Sequence, residues 1–274
     1  MPRVIRKGVI AGPAPGLLLA AALTASLAAL AACGAGRPAR GAERRLSGSG
    51  FTLILHDGVP KSDGEAVLQR LEANAARIAA DLGVEADRLG TRTVHLWGYA
   101  RDYENSQAAT IGAAYSGSTG SIVGPYRLEL LNVADAPEIA THEYAHTVSL
   151  LQNRRFTNRP RWLWEALALY ENGEFKDPRR LDYLAAGDYP TLAELGEDFN
   201  DDRGSIYEVG YLLLAYLKET WGMPKVLELV RNGGDLGASL GLTEAAFEAG
   251  WKTWVEERYF PPRAPNGKRL EASR

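Results

Sequence analysis

Cysteine is almost absent from this chain of 274 residues: Cys33 is the only one. A single thiol excludes an internal disulfide and any cysteine-based metal cluster. Histidine is also scarce, at four residues. No internal repeat is present. A basic surplus is missing as well. The first 32 residues hold Arg3, Arg6 and Lys7 and no acid, so the remainder carries 28 basic against 34 acidic residues, a net charge of −6. Such a body lacks the basic footprint that a phosphate backbone requires, and nucleic acid is excluded as a partner. Hydrophobic residues make up 46% of the chain and charged residues 24%, which implies a globular fold with a core of its own.

The N-terminus reads as an export signal over 1–32. Arg3, Arg6 and Lys7 form a basic start, and Gly16 to Ala32 is an uncharged run rich in Leu and Ala. The run ends Leu30-Ala31-Ala32-Cys33-Gly34, which resembles the bacterial lipobox, where the cysteine is lipidated and becomes the mature N-terminus. Two other readings stay open: a transmembrane anchor, and ordinary signal cleavage with an incidental cysteine. All three place the body outside the cytoplasm. Residues 33–50 are rich in Gly, Ala, Arg and Ser without apolar periodicity and read as a flexible tether.

Residues 51–260 carry the pattern of one domain. Phe51 to His56, Thr93 to Trp97 and Tyr126 to Val133 are β-prone runs, while Asp63 to Leu82 has helical period. Gly112 to Gly124 is small and loop-like. After residue 135 the chain turns helical. Asp135 with Glu138 suggests a capping box, and Pro137 falls in the first turn. Pro160 opens a helix that Asn172-Gly173 closes, and further helices are expected over Ser205 to Trp221, Met223 to Val230 and Thr243 to Tyr259. Residues 261–274 read as a disordered tail. The expected class is α+β.

The chemistry-bearing motif is His142-Glu143-Tyr144-Ala145-His146, an H-E-x-x-H sequence. On a helix, positions i and i+4 share a face, so both imidazoles can reach one ion with the glutamate beside its open position. An apolar stripe at Ala136, Ala140, Tyr144, Val148 and Leu151 leaves those three side chains for a cleft. Zinc requires a third protein ligand. No third histidine lies nearby, but Glu165 does, with eighteen residues between it and His146. It is the only acid between Asn153 and Tyr170, in the strongly apolar stretch Trp162-Leu-Trp-Glu165-Ala-Leu-Ala-Leu-Tyr170. A carboxylate buried there needs a cation or another partner.

H-E-x-x-H, eighteen residues, then Glu in a Trp-x-x-Glu-x-x-Ala-x-Tyr-like context resembles the gluzincin zinc metallopeptidases, above all the M1-like and peptidase MA-like catalytic domains. The resemblance covers residues 110 to 260 and reaches 51 to 110 in outline. It implies a thermolysin-like fold, a small sheet packed on a mostly helical half with Zn2+ between them. It also implies peptide hydrolysis with Glu143 as general base and His142, His146 and Glu165 as ligands. Ser205-Ile-Tyr207-Glu-Val-Gly210-Tyr211 is similar to the family's Tyr-x-x-Gly helix start, which makes Tyr207 the oxyanion-stabilising hydroxyl and Tyr211 the weaker alternative. The chain departs from the M1 aminopeptidases at Gly117-Ser-Thr-Gly-Ser-Ile122, where their pattern has an acidic residue for the substrate's amino group. An endopeptidase, or a peptidase of narrow range, fits that departure. The implied partners are a peptide or protein substrate and, through the lipid, a membrane. The rival class is a non-catalytic zinc-containing envelope lipoprotein acting as a binding module. His56 and His95 read as structural, and Arg154, Arg155 and Arg161 as a solvated basic surface, with a place lining the cleft as the other reading.

Replacing Cys33 tests the anchor. Cys33→Ala is expected to move the protein from the membrane fraction to the soluble fraction; retention through an alkaline wash identifies a true membrane span instead.

Overall fold

In β3 (Arg92–Trp97), buried Arg92, Val94 and Leu96 alternate with half-buried Thr93, His95 and Trp97, the period-2 signature of a strand with one core face. Its neighbours follow the same logic. Phe51, Leu53 and Leu55 of β2 (Phe51–Leu55) and Leu128 and Leu130 of β5 (Arg127–Leu131) enter one core. A fully buried side chain of this kind contributes roughly 1.5–3 kcal/mol. The computed structural model describes residues 44–112, 117–197 and 205–261. Expectations for the export signal, for Cys33 and for 262–274 lie outside the described residues.

The sheet has five strands in the order β1-β2-β3-β5-β4, with β1 at Arg44–Gly48 and β4 at Gly120–Ile122. β2, β3 and β5 run parallel, and each outer strand is antiparallel to its neighbour. Helix α1 (Lys61–Asp81) links β2 to β3, followed by the single turn α2 (Ala86–Leu89). Helix α3 (Ala100–Ile111) lies between β3 and β4 in the chain. These elements correct two expectations. The tether over 33–50 ends sooner than its composition suggests, because Arg44–Gly48 pairs along β2. The loop over 112–124 contains β4. The β-prone run at 126–133 holds β5, an interior strand, and the outer edge of β4 pairs with no described strand.

The rest of the described chain is helical: α4 (Ala136–Gln152), α5 (Arg161–Asn172), α6 (Asp182–Ala185), α7 (Leu192–Gly196), α8 (Ile206–Trp221), α9 (Met223–Arg231), α10 (Leu236–Leu240) and α11 (Glu244–Tyr259). The architecture is therefore mixed, a small sheet followed by a helical half, as the α+β reading expects. Local chemistry sets several helix ends. Pro160 stands before α5 in extended geometry and Gly173 ends it at φ 76°. Ser205 Oγ accepts the Tyr207 N–H at 3.2 Å, and Thr243 Oγ1 accepts the Ala246 N–H at 3.2 Å. The capping box expected at Asp135 is not formed. Its ψ of 15° leaves the extended region a cap needs, and the side chain makes no cap bond.

Helix α4 is covered by the sheet and α1 on one side and by α5 on another, and α8 packs on α5. Arg92 clamps α4 to the sheet. Its Nε donates to Thr147 Oγ1 at 3.2 Å, and its guanidinium lies 4.9 Å from the Tyr144 ring centroid. Tyr144 in turn meets Phe51 edge-on at 5.4 Å. Gly210 permits the close approach of α8: a Cβ there would sit 2.6 Å from Leu169 Cδ1 and 3.2 Å from Ala166 Cα on α5.

One buried charge ties α5 to α1. Glu171, 1% exposed, accepts from Arg77 Nη1 at 2.7 Å. Burial and the nearby Asp81 push its carboxyl up to about 7 against the pull of Arg77. Folding therefore takes up a proton at Glu171, and its contribution to stability is full below the unfolded value and falls as pH rises toward 7. Glu171→Gln is expected to match the parent near pH 5 and to equal or exceed it above pH 7. Denaturation midpoints across that range check the point, and a variant weakened most at high pH contradicts it.

Candidate metal centre

The helical period of α4 sends Tyr144, Thr147 and Val148 toward the sheet, so His142 and His146 turn the other way, toward α5. Helix α5 supplies Glu165. His142 Nε2 lies 3.1 Å from His146 Nε2 and 3.3 Å from Glu165 Oε2, and His146 Nε2 lies 3.7 Å from the same oxygen. Bonds of about 2.0–2.2 Å at tetrahedral angles put ligand atoms roughly 3.3–3.6 Å apart, which these three spacings bracket. Glu165 Oε2 is buried, with both Nε2 atoms beside it. Three potential ligand atoms thus lie within 3.7 Å of one another in a buried space, and a divalent cation fits that donor set. Among the described residues these three form the one such group.

The surroundings are less open than a one-sided stripe on α4 implies. Most of α4 from Ala140 to Leu150 is buried, and the side chain of His142 is 12% exposed. Trp164 lies flat on the His146 imidazole, 4.1 Å between centroids and 5° between planes, and Phe156 meets Trp164 edge-on at 5.4 Å. That stack fixes the ring from the side. His142 is fixed by a hydrogen bond instead: its Nδ1 is 3.2 Å from Glu174 Oε1, which also accepts from Asn172 Nδ2 at 2.7 Å. An Nδ1–H donated to Glu174 leaves the Nε2 lone pair facing the common point. The motif contains no trace of Glu174, which lies just beyond the αL residue Gly173 where α5 ends. A polar residue after a helix-closing glycine is the one signal the sequence offers for it.

Glu143 stands beside the group. It is 8% exposed, and a Cβ on Gly120 would come within 2.6 Å of its Oε1, so the missing side chain in β4 makes room for the carboxylate. Burial pushes its carboxyl up to about 7; His142 opposes this and Glu165 adds to it. Burial also acts to lower both imidazoles. It prevails at His146, which falls to about 4, while the carboxylates of Glu165 and Glu174 outweigh it at His142 and push that ring up to about 10. Burial works against ionised Glu165 too, yet the two imidazoles hold it below the ordinary carboxylate range.

Tyr207 opens α8 near the group. Arg161 Nη2 donates to its hydroxyl at 3.2 Å. Burial, then the charges of Glu165 and Glu143, raise the phenol well above its ordinary value. Tyr211 belongs elsewhere, packed on Tyr170 at 5.0 Å and Phe175 at 5.5 Å. Arg161 corrects the reading of a solvated surface. It is 7% exposed, while Arg154 and Arg155 are exposed. His56 and His95 lie on the other face of the sheet, with Nε2 and Nδ1 3.0 Å apart, in a stack with Trp97.

Coordination needs the Nε2 lone pairs of His142 and His146, so affinity for a divalent cation such as zinc is expected to rise with pH, which calorimetry across the range checks. Glu174→Ala is expected to weaken zinc binding by about 10- to 100-fold. Unchanged affinity in that variant removes Glu174 from the site.

No protein-family model and no curated protein matches the chain, so the reading of this centre rests on its own geometry.

Proposed function

We propose that the protein is a zinc-dependent peptidase acting outside the cytoplasm, held to a membrane by lipid on Cys33. The observation that carries the reading is the convergence of His142 Nε2, His146 Nε2 and Glu165 Oε2 with the Glu143 carboxylate beside them. Zinc bound there supplies a Lewis acid that activates water and polarises the scissile carbonyl. Glu143 is the general base. A carboxyl near neutrality can take a proton from water and return it to the leaving amine, and a buried one does so without competition from bulk solvent. Tyr207 donates its hydroxyl hydrogen to the oxygen on which negative charge develops.

Substrate placement follows from the sheet. β4 pairs with β5 along one edge, and no described strand pairs with its other edge. An extended peptide can add to that edge as a further strand, next to Gly120 and Glu143. Gly120, Ser121 and Ile122 contain no carboxylate for a free amino terminus, which favours cleavage within chains over removal of terminal residues. The small parallel-cored sheet, the helical half and a ligand set shared between α4 and α5 are compatible with a thermolysin-like fold. The intact Glu143 weighs against a purely binding role, because a site that only holds metal or peptide has no need of a base.

The two glutamates have different roles, and substitution separates them. Glu165→Ala is expected to lose zinc and with it some stability. Glu143→Gln is expected to keep zinc and fold while losing hydrolysis by a factor on the order of 10²–10⁴ or more, since an amide accepts no proton. Metal content by elemental analysis and cleavage of a peptide library, measured on the same preparations, decide the matter. A Glu143→Gln variant that loses zinc while Glu165→Ala retains it reverses the roles and ends this reading.

A further inference from the structure

A guanidinium is costly to bury without partners, so the place of Arg161 requires an explanation. It is the first residue of α5, one turn before Glu165 and on the same helix face. At 7% exposure it turns inward and donates from Nη2 to Tyr207 Oη at 3.2 Å, with Cζ 5.7 Å from the Tyr207 ring centroid. Its charge also acts on His146. The same residue walls a cavity of about 650 Å³ that Arg159, Trp162, Leu192 and Glu244 help to line.

Hydrogen-bond chemistry gives this contact a direction. A guanidinium has donors and no acceptor, so in this bond the phenolic oxygen must accept. The phenol's own hydrogen is thereby turned away from Arg161. A donor bond from a cation also withdraws electron density from the oxygen, which strengthens the phenol as a donor.

We propose that Arg161 is the positioning residue for Tyr207: it holds the phenol by its lone pair and so commits the hydroxyl hydrogen to the reacting carbonyl oxygen. This rests on the peptidase reading and deepens it. Arg161 acts through its hydrogen bond to Tyr207. Lysine, with a single flexible ammonium in place of a planar fork, replaces it in part.

A double-substitution cycle on the zinc-loaded full chain tests the proposal. Arg161→Met, Arg161→Lys, Tyr207→Phe and the two combinations are compared by zinc content, by kcat and KM on a peptide the parent cleaves, and by calorimetric affinity for a peptide phosphonate. Tyr207→Phe is expected to lower kcat by about 10²–10³-fold, the usual loss for one oxyanion donor. Arg161→Met is expected to lower kcat by about 10-fold or more, with zinc content and KM little changed, and Arg161→Lys to recover part of that loss. In the Tyr207→Phe background neither Arg161 substitution lowers kcat or phosphonate affinity further. Equal losses in both backgrounds overturn the proposal, as does a Tyr207→Phe variant with parental kcat. Should Arg161→Met fail to fold, the Arg161→Lys cycle decides between the same two outcomes. A parent that holds zinc, binds the phosphonate and cleaves no peptide counts against the peptidase reading, while the affinity cycle still decides on Arg161.

Discussion

A carboxylate and two imidazoles held within 3.7 Å of one another, out of water, repel unless a cation or a proton lies between them. Much of the helical packing can be understood as keeping that arrangement in place. Arg92 ties α4 to the sheet through Thr147 and Tyr144, so the two histidines cannot rotate away. Glu171 ties α5 to α1 through Arg77. Gly210 lets α8 press against α5 and brings Tyr207 to the same region. Each contact is modest alone, but together they fix three helices around one point. Preorganisation of this kind is what metal affinity draws on, because little ordering remains to be done when the ion arrives.

The electrostatic balance is uneven across the group, and each departure has its own cause. Burial alone would leave both rings neutral and Glu165 protonated. Glu165 and Glu174 reverse that outcome for His142, which lies between them. His146, stacked on Trp164, has no carboxylate at Nδ1 among the described residues and follows burial. The two rings thus differ because His142 faces both Glu165 and Glu174.

What is legible in the chain alone is whatever depends on local periodicity. The i, i+4 histidines, the lone acid in an apolar stretch, the proline and glycine at the ends of α5 and the alternation of β3 are all local patterns. What is hidden depends on contacts distant in sequence. β4 is three residues of Gly, Ser and Ile, and only its pairing with β5 makes it a strand. β1 is rich in arginine and serine, yet it pairs residue for residue with β2. Trp164 has the sequence context of ordinary core, and only the fold lays its ring on His146. Arg161 reads as solvated because a buried guanidinium is uncommon, and its partner lies 46 positions further on. Glu174 lies outside any motif because its contact is with His142, 32 positions earlier.

Helix α5 carries Glu165 in its second turn and is followed, just past its closing glycine, by Glu174, and both carboxylates reach the same imidazole. The helix therefore grips His142 like a calliper. Sliding α5 by even one residue, about 1.5 Å, would break both contacts together. Axial slip between α4 and α5 is thereby opposed twice, once at each nitrogen of the His142 ring.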